Sequence, residues 1–305
     1  TPKNSAMHST HLASAVKPPV LIAVANAIKN NSSAAMPALK VFLTGASSGI
    51  GRALAHHYAQ QGAALGLAAR RGEDLQQIAE RLSDVGAQAV YCYPLDVTDS
   101  DALEAAAAHF ITHLGAPDIV IANAGISSGT LTENADDLLD FRRIFDVNVY
   151  GMVATFAPFI HSMRQAANAD HHDYHGRLVG VASVAGIRGM PGAGAYSASK
   201  AAAITYLESL RLEMRDSGIK VVTLVPGYID TPMTQVNPYP MPFMLPVDQA
   251  ARRFARAIRR GTSYTVIPWP MGIVAKLLRL LPNVLYDQIF VHAPRKPKIL
   301  PSRSE

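Results

Sequence analysis

Between residues 41 and 62 the chain passes from an apolar run into TGASSGIG and then into an amphipathic stretch, and this order limits the available folds more than any other feature. Val41, Phe42, Leu43 and Thr44 read as a buried strand, Ile50, Leu54 and Tyr58 recur at helical spacing, and Gly62 closes the helix. Gly45, Gly49 and Gly51 permit a tight turn and close approach of a ligand to the backbone. The start of the helix, around Ser47, Ser48 and Ile50, offers unpaired N–H groups and a positive dipole end to a pyrophosphate. The spacing is GxxxGxG rather than the GxGxxG of the dinucleotide fingerprint, so its place between strand and helix carries the reading.

The pattern recurs. Apolar runs at 64–69, 89–93, 119–122, 178–182, 221–225 and 264–267 alternate with helical stretches, which predicts an α/β fold with a parallel sheet covered on both faces. At 305 residues, 49% of them hydrophobic, the chain can bury a substantial core. No repeat or internal linker divides it, so residues 37–291 are expected to form one domain. Residues 1–36 carry no acid and one short apolar run, VLIAVANAI, below the about 20 residues that cross a bilayer. They have no arginine and no good cleavage site, and are expected to lie outside the fold. The Pro-rich, basic residues 292–305 are expected to form a loose tail.

At the end of the second strand the sequence reads LAARR. A dinucleotide site commonly places an acid there for the ribose 2′-hydroxyl. Ala69 stands in that place, followed by Arg70 and Arg71, so a 2′-phosphate would meet cations and no repulsion. A solvated basic turn is the other reading of the pair.

Further on, VASVAGIRGMPGAGAYSASK holds Tyr196 and Lys200 four residues apart. On a helix the two share a face, and a nearby ammonium favours the phenolate. Ser183 lies at a strand end, where its hydroxyl could hold a substrate oxygen against the phenol. The three together could handle an alcohol or a carbonyl.

Other classes find less support. The formal charge is +5, but the basic residues are scattered, so no nucleic-acid partner is expected. Cys92 is the only cysteine, which excludes an internal disulfide and a cysteine-cluster metal site and fits the reducing cytoplasm. His171, His172, Asp173 and His175 read as a solvated loop, and no metal is expected.

TGASSGIG, ANAG at 122–125, Asn148, Ser183, YSASK and PGYIDTP at 226–232 occur in this order. Through them the chain resembles the short-chain dehydrogenase/reductase family over residues 40–267. The resemblance implies a Rossmann-type, doubly wound sheet of seven parallel strands with helices on both faces, and a catalytic set of Asn148, Ser183, Tyr196 and Lys200. It makes Tyr196 the general acid/base, Lys200 the residue that lowers its pKa and binds the nicotinamide ribose, Ser183 the substrate-oxygen partner, and Asn148 the support of a proton-conducting water. Asp96 would face adenine, Asn123 would stabilise its strand beside the cofactor, and Val97, Ala124 and Gly125 would also contact the cofactor. Ile229 and Thr231 would meet the nicotinamide carboxamide, and Pro226 and Gly227 before them would also contact the cofactor. Position 182, often serine in the family, is Ala182 here. With Arg70 and Arg71, the expected cofactor is NADP, and the activity that of a carbonyl reductase or secondary-alcohol dehydrogenase. The rival is a dinucleotide-binding regulatory or scaffold protein without turnover.

Met233, Met241, Phe243, Met244 and Leu245 would give the loop after residue 231 an apolar lining for the substrate, or equally pack that loop onto the domain. The stretch 271–281 carries Lys276 and Arg279 among aliphatics and could lie on a membrane surface or against a partner subunit. A homodimer or homotetramer is expected from the resemblance, through the helices after Asn148 and Tyr196, the second presenting Ile204, Leu207, Leu210 and Leu212.

Overall fold

Apolar runs bounded by glycines and caps set the alternation of elements. The computed structural model describes residues 22–25, 38–169 and 176–300. Its strands are β1 (Ile22–Ala25), β2 (Lys40–Thr44), β3 (Ala64–Ala69), β4 (Ala89–Pro94), β5 (Ile119–Ala122), β6 (Gly176–Val181), β7 (Ile219–Pro226), β8 (Ile229–Asp230), β9 (Leu245–Pro246) and β10 (Tyr264–Ile267). Its helices are α1 (Gly49–Ala59), α2 (Gly72–Asp84), α3 (Ser100–Leu114), α4 (Asp137–Phe145), α5 (Gly151–Ala169), α6 (Gly194–Glu213), α7 (Pro232–Gln235), α8 (Val247–Arg260), α9 (Trp269–Leu280) and α10 (Asn283–Phe290). A π-helical turn at Asp146–Tyr150 precedes α5, and a 3₁₀ turn at Val184–Gly186 follows β6.

Seven strands pair in parallel in the order β4-β3-β2-β5-β6-β7-β10. The expected seven-stranded parallel sheet is thus present. β3 and β6 are buried along their whole length, as strands covered on both faces must be. On one face Leu54 and Tyr58 of α1, Leu75 and Leu82 of α2, and Phe254 and Ile258 of α8 form a continuous apolar layer with the sheet. On the other, Phe110 of α3, Phe156 and Phe159 of α5, and Leu207 of α6 do the same. Strand order reverses between β2 and β5, so a crevice opens at their carboxyl ends, where such folds bind ligands.

Two boundary expectations need correction. Residues 1–36 do not lie wholly outside the fold, because β1 pairs antiparallel with β4, from Ile22 opposite Cys92 to Ala25 opposite Ala89. The outer edge of β4 would otherwise present unpaired N–H and C=O groups, and the apolar run supplies a strand to cap it. Nor are residues 292–300 a loose tail. Gly129 N–H donates to Pro297 O at 2.8 Å, Ile299 N–H donates to Ser128 Oγ at 3.0 Å, and Lys298 Nζ lies 2.7 Å from Asp137 Oδ1. The acidic start of α4 draws in the basic end of the chain. Residues 301–305, most of 1–36, and the cluster His171, His172, Asp173 and His175 lie outside the described residues.

Leu207 and Leu210 pack inside the domain, leaving Leu212 exposed on α6, so the apolar side of that helix is narrower than the sequence suggested. α9 and α10 are pinned to the loop after the 3₁₀ turn: Arg188 donates to the carbonyls of Leu278 and Leu281 and stacks 4.0 Å over the Tyr286 ring, whose hydroxyl donates to Gly189 O. Trp269, Ile273, Leu277, Leu280, Val284 and Ile289 remain exposed on this pair. Among the described residues, no helix is long and apolar enough to cross a membrane.

Candidate functional site

The crevice is a cleft of about 300 Å³ that runs from the turn after β2 to the start of α6. Gly45 and Gly49 hold φ values of +67° and +50°, a region that L side chains rarely adopt. A Cβ at Gly51 would collide with the carbonyl of Gly45, so the turn folds tightly against the helix. Ser48 caps α1 in an extended conformation without a side-chain hydrogen bond to the helix, and the first turn of α1 carries no acid. The positive end of α1 therefore faces the cleft uncompensated. Asn123 locks the turn to β5: its Nδ2 donates to Thr44 O at 3.1 Å and Gly45 O at 3.2 Å, while Thr44 Oγ1 accepts from Asn123 N–H and Ala124 N–H.

At the adjoining end, Ala69 closes β3, and Arg70 and Arg71 follow, both exposed and both lining the cleft. They differ in their neighbours. Arg71 pairs with Asp74 in the first turn of α2, whereas Arg70 makes no ion pair among the described residues. Asp96 Oδ1 accepts from Thr98 N–H at 3.0 Å, which shapes the turn after β4, and Val97 stands beside it.

At the far end Tyr196 and Lys200 project from α6, and Ser183 from the end of β6. The Ser183 hydroxyl hydrogen-bonds the phenol and also accepts from Ala185 N–H at 3.2 Å. Lys200, 4% exposed, donates to Val181 O at 2.9 Å. Its Nζ stands 5.9 Å from the centre of the Tyr196 ring, rather than on the phenol oxygen. Burial brings the Lys200 ammonium down to about 8, and no carboxylate pairs with it among the described residues. Burial also raises the Tyr196 phenol above its ordinary value, with the Ser183 hydrogen bond opposing the rise. In the protein alone, desolvation therefore outweighs the cation that was expected to make this tyrosine acidic.

Asn148 is buried in the π-helical turn. Its Oδ1 accepts from Ile126 N–H at 2.9 Å, and its Nδ2 donates to Ile126 O and Ser199 Oγ, each at 3.0 Å. Asn148 and Gly51 alone among the expected site residues do not line the cleft; Pro226, Gly227, Ile229 and Thr231 line its near wall. Met233 joins the lining too, whereas Leu245 is buried in β9, and Phe243 and Met244 are largely exposed.

Sequence reading missed several neighbours. Leu95, Ile126 and Val147 line the cleft but are ordinary aliphatics with no local signal. Tyr239 comes close enough for its phenolate and that of Tyr196 to repel. Lys296 stands with Nζ 5.3 Å from the centre of the Tyr196 ring, and burial brings its ammonium down to about 8. A complementary pair of charge runs, acidic at 133–140 and basic at 295–298, was the available signal.

A nicotinamide dinucleotide fits these residues. The glycine cradle excludes any Cβ where a phosphate must approach, the end of α1 supplies donors, and the cleft continues to the polar cluster at Tyr196.

Comparison with known proteins agrees. The family model for short chain dehydrogenase matches residues 40–239. An uncharacterized oxidoreductase of Myxococcus xanthus (strain DK1622) is 35% identical over 245 residues, which is 80% of this chain and 93% of that protein. The 11-beta-hydroxysteroid dehydrogenase A of Sesamum indicum is 34% identical over 75% of this chain and 68% of its own length. Among solved structures, an alcohol dehydrogenase from the archaeon Thermococcus sibiricus, complexed with 5-hydroxy-NADP, aligns with a TM-score of 0.65 at 26% identity, covering 76% of this chain and 96% of its own. With a matching sheet, glycine turn and Ser183, Tyr196 and Lys200 at one end of the cleft, the chain belongs to the short-chain dehydrogenase family of nicotinamide-dependent oxidoreductases.

Proposed function

We propose that the protein interconverts a carbonyl and a secondary alcohol on an apolar substrate, with NADP(H) as cofactor. The observation that carries this reading is the placement of Ser183, Tyr196 and Lys200 at one end of a continuous cleft whose other end holds the glycine turn and Arg70. When bound, the nicotinamide supplies or accepts the hydride. Tyr196 gives the proton to the carbonyl oxygen or takes it from the alcohol, and Ser183 holds that oxygen in line with the phenol. Lys200 binds the nicotinamide ribose and, as an ammonium, stabilises the phenolate once proton transfer has occurred. Asn148, engaged at both ends of its amide, fixes Ile126 and Ser199 around Lys200.

Arg70 supports NADP(H): it lines the cleft and, unlike Arg71, has no carboxylate partner among the described residues. Met233 at the cleft and the similarity to a hydroxysteroid dehydrogenase support an apolar substrate. The exposed Leu138, Leu139, Tyr150 and Leu212 support a homo-oligomer through the α4–α6 side, and the exposed face of α9 and α10 a peripheral contact with a membrane or a second subunit. The reducing cytoplasm is the compartment that suits one buried free thiol, Cys92.

The test is NADPH oxidation against ketones, quinones, steroids and fatty acyl carbonyls, repeated with Tyr196→Phe. Turnover of one class that collapses in the variant is expected. Equal rates in the two proteins would overturn the assignment.

A further inference from the structure

The last described residues pass directly beside the candidate catalytic tyrosine, fastened on both sides of Lys296. On the amino-terminal side, Arg295 packs so closely on Gly192 that a Cβ there would lie 2.8 Å from the arginine's own Cβ. On the carboxyl-terminal side, Gly129 N–H holds Pro297 O, Lys298 Nζ holds Asp137 and lies 4.0 Å from Asp140, and Ser128 Oγ accepts from Ile299 N–H. At Gly129 any Cβ would collide with the carbonyl of Lys296, so that backbone lies flush against the segment before α4. Asp137, Asp140 and Ser128 are buried beneath it. Six residues thus form a strap whose course is set by contacts other than those of the Lys296 side chain.

This course leaves one ammonium without an anion. Lys296 is half-buried and makes no ion pair or hydrogen bond among the described residues, although Lys298, two positions on, takes two carboxylates. Its Nζ lies over the Tyr196 ring. Lys296 does not line the dinucleotide cleft, as Tyr196 and Lys200 do, although its Nζ is as near the ring centre as that of Lys200. Withdrawing a cation from water without a counter-charge is costly. A partly withdrawn, unpaired cation beside a reacting group is a candidate for binding a ligand's charge.

We propose that the strap forms one wall of the substrate site and that Lys296 is a specificity-determining residue, receiving an anionic group carried by the substrate a few bonds from the reacting carbon. The inference rests on the proposed carbonyl/alcohol chemistry at Tyr196. A single ammonium matches a single negative charge, so the substrate class is an apolar oxo or hydroxy carboxylic acid. The apolar lining near Met233 takes the body and Lys296 the carboxylate. A neutral ester of the same shape loses the charge-assisted hydrogen bond and leaves the ammonium uncompensated.

The experiment uses the NADPH-loaded full chain and aryl oxo acids with the ketone at positions 2 to 5, each beside its methyl ester. At one spacing kcat/KM for the acid should exceed that for the ester by about 10- to 100-fold. Lys296→Gln should bring the ratio close to one, and Lys296→Arg should keep most of it, with NADPH binding measured in each variant to report the fold. If Lys296 only stacks on Tyr196 to hold the strap, Lys296→Gln will change acid and ester alike and the ratio will stand, which overturns the proposal. Ketone turnover with no acid preferred over its ester at any spacing overturns it too, while leaving the proposed reaction intact. Absence of turnover with every acid, ester and simple ketone overturns both.

Discussion

Lys298 clasps Asp137 at 2.7 Å across 161 positions of sequence, tying the carboxyl-terminal end of the chain to the first turn of α4. The pair is the shortest ion pair of the strap, and the other fastenings, Ser128 Oγ with Ile299 N–H, Gly129 N–H with Pro297 O and the longer Lys298–Asp140 contact, are neutral or weaker. Asp137→Asn should therefore release residues 295–300, and hydrogen exchange at the amides of Gly129 and Ile299 should speed up while that of β6 stays the same. Unchanged protection at both amides would show that the backbone bonds hold the strap unaided.

The pH dependence of the clasp follows from both partners. The Lys298 hydrogen bond, then the Leu131 amide, holds the Asp137 carboxyl below the usual carboxylate range. Its contribution is present above the unfolded pKa of about 4 and is lost as pH falls through the lower folded value. The Asp137 hydrogen bond holds Lys298 above its usual range, so its contribution is present below about 10.4 and is lost as pH rises through the higher folded value. Protection of the Ile299 amide, corrected for intrinsic exchange, should stay level from about pH 5 to 9 and fall below about 4.

Tyr196→Phe removes the ionisable oxygen and little volume. Turnover should drop by roughly 10²- to 10⁴-fold, with NADPH affinity within a few-fold. Stopped-flow hydride transfer and cofactor fluorescence separate the two readouts.

How far the sequence disclosed this molecule depended on whether the cause was local. β3 and β5 were legible to the residue because strands covered on both faces must be apolar throughout. Gly45, Gly49, Ser183, Tyr196 and Lys200 were legible because the turn, the strand end and the helical spacing each restrict residue type. β1 was hidden, since four residues find their place only through the free edge of β4. Lys296 and Lys298 were hidden for the same reason: a basic run looks like a solvated tail until Asp137 and Asp140 are known to stand opposite. The direction of the Tyr196 shift was misjudged because helical spacing gives proximity but not burial.

Lys200 should limit the stability of the cofactor-free protein. Burial holds its folded pKa at about 8, below the ordinary lysine value of 10.5, so folding penalises the charged form by about 3 kcal/mol below pH 8. The penalty fades as pH rises from about 8 towards the unfolded value, where the unfolded chain holds more protons. Lys200→Met removes the charge but leaves Val181 O without its donor, at a cost of about 1 to 3 kcal/mol. The expectation is that the stability of Lys200→Met relative to the unmodified protein is highest at pH 7 and falls towards pH 10, together with loss of turnover. Denaturant unfolding at the two pH values checks it, and a relative stability that rises towards pH 10 would contradict it.

Cofactor choice turns on the end of β3. Arg71 is already committed to Asp74, and replacing it should matter little. Arg70 lines the same cleft without a carboxylate partner among the described residues, directly after Ala69, which is buried where an acid would otherwise repel a 2′-phosphate. One charge-assisted hydrogen bond to that phosphate is worth roughly 1.5 to 3 kcal/mol, so Arg70 should favour NADPH over NADH by about 10- to 100-fold. Arg70→Ala should weaken NADPH by that factor and change NADH little, while Arg71→Ala should shift the ratio much less. Adding Ala69→Asp to Arg70→Ala should reverse the preference, because the new carboxylate repels a phosphate and accepts from a ribose hydroxyl. Fluorescence titration of both reduced cofactors against the four proteins decides it, and equal affinity for NADH and NADPH in the unmodified chain would remove the role assigned to Arg70.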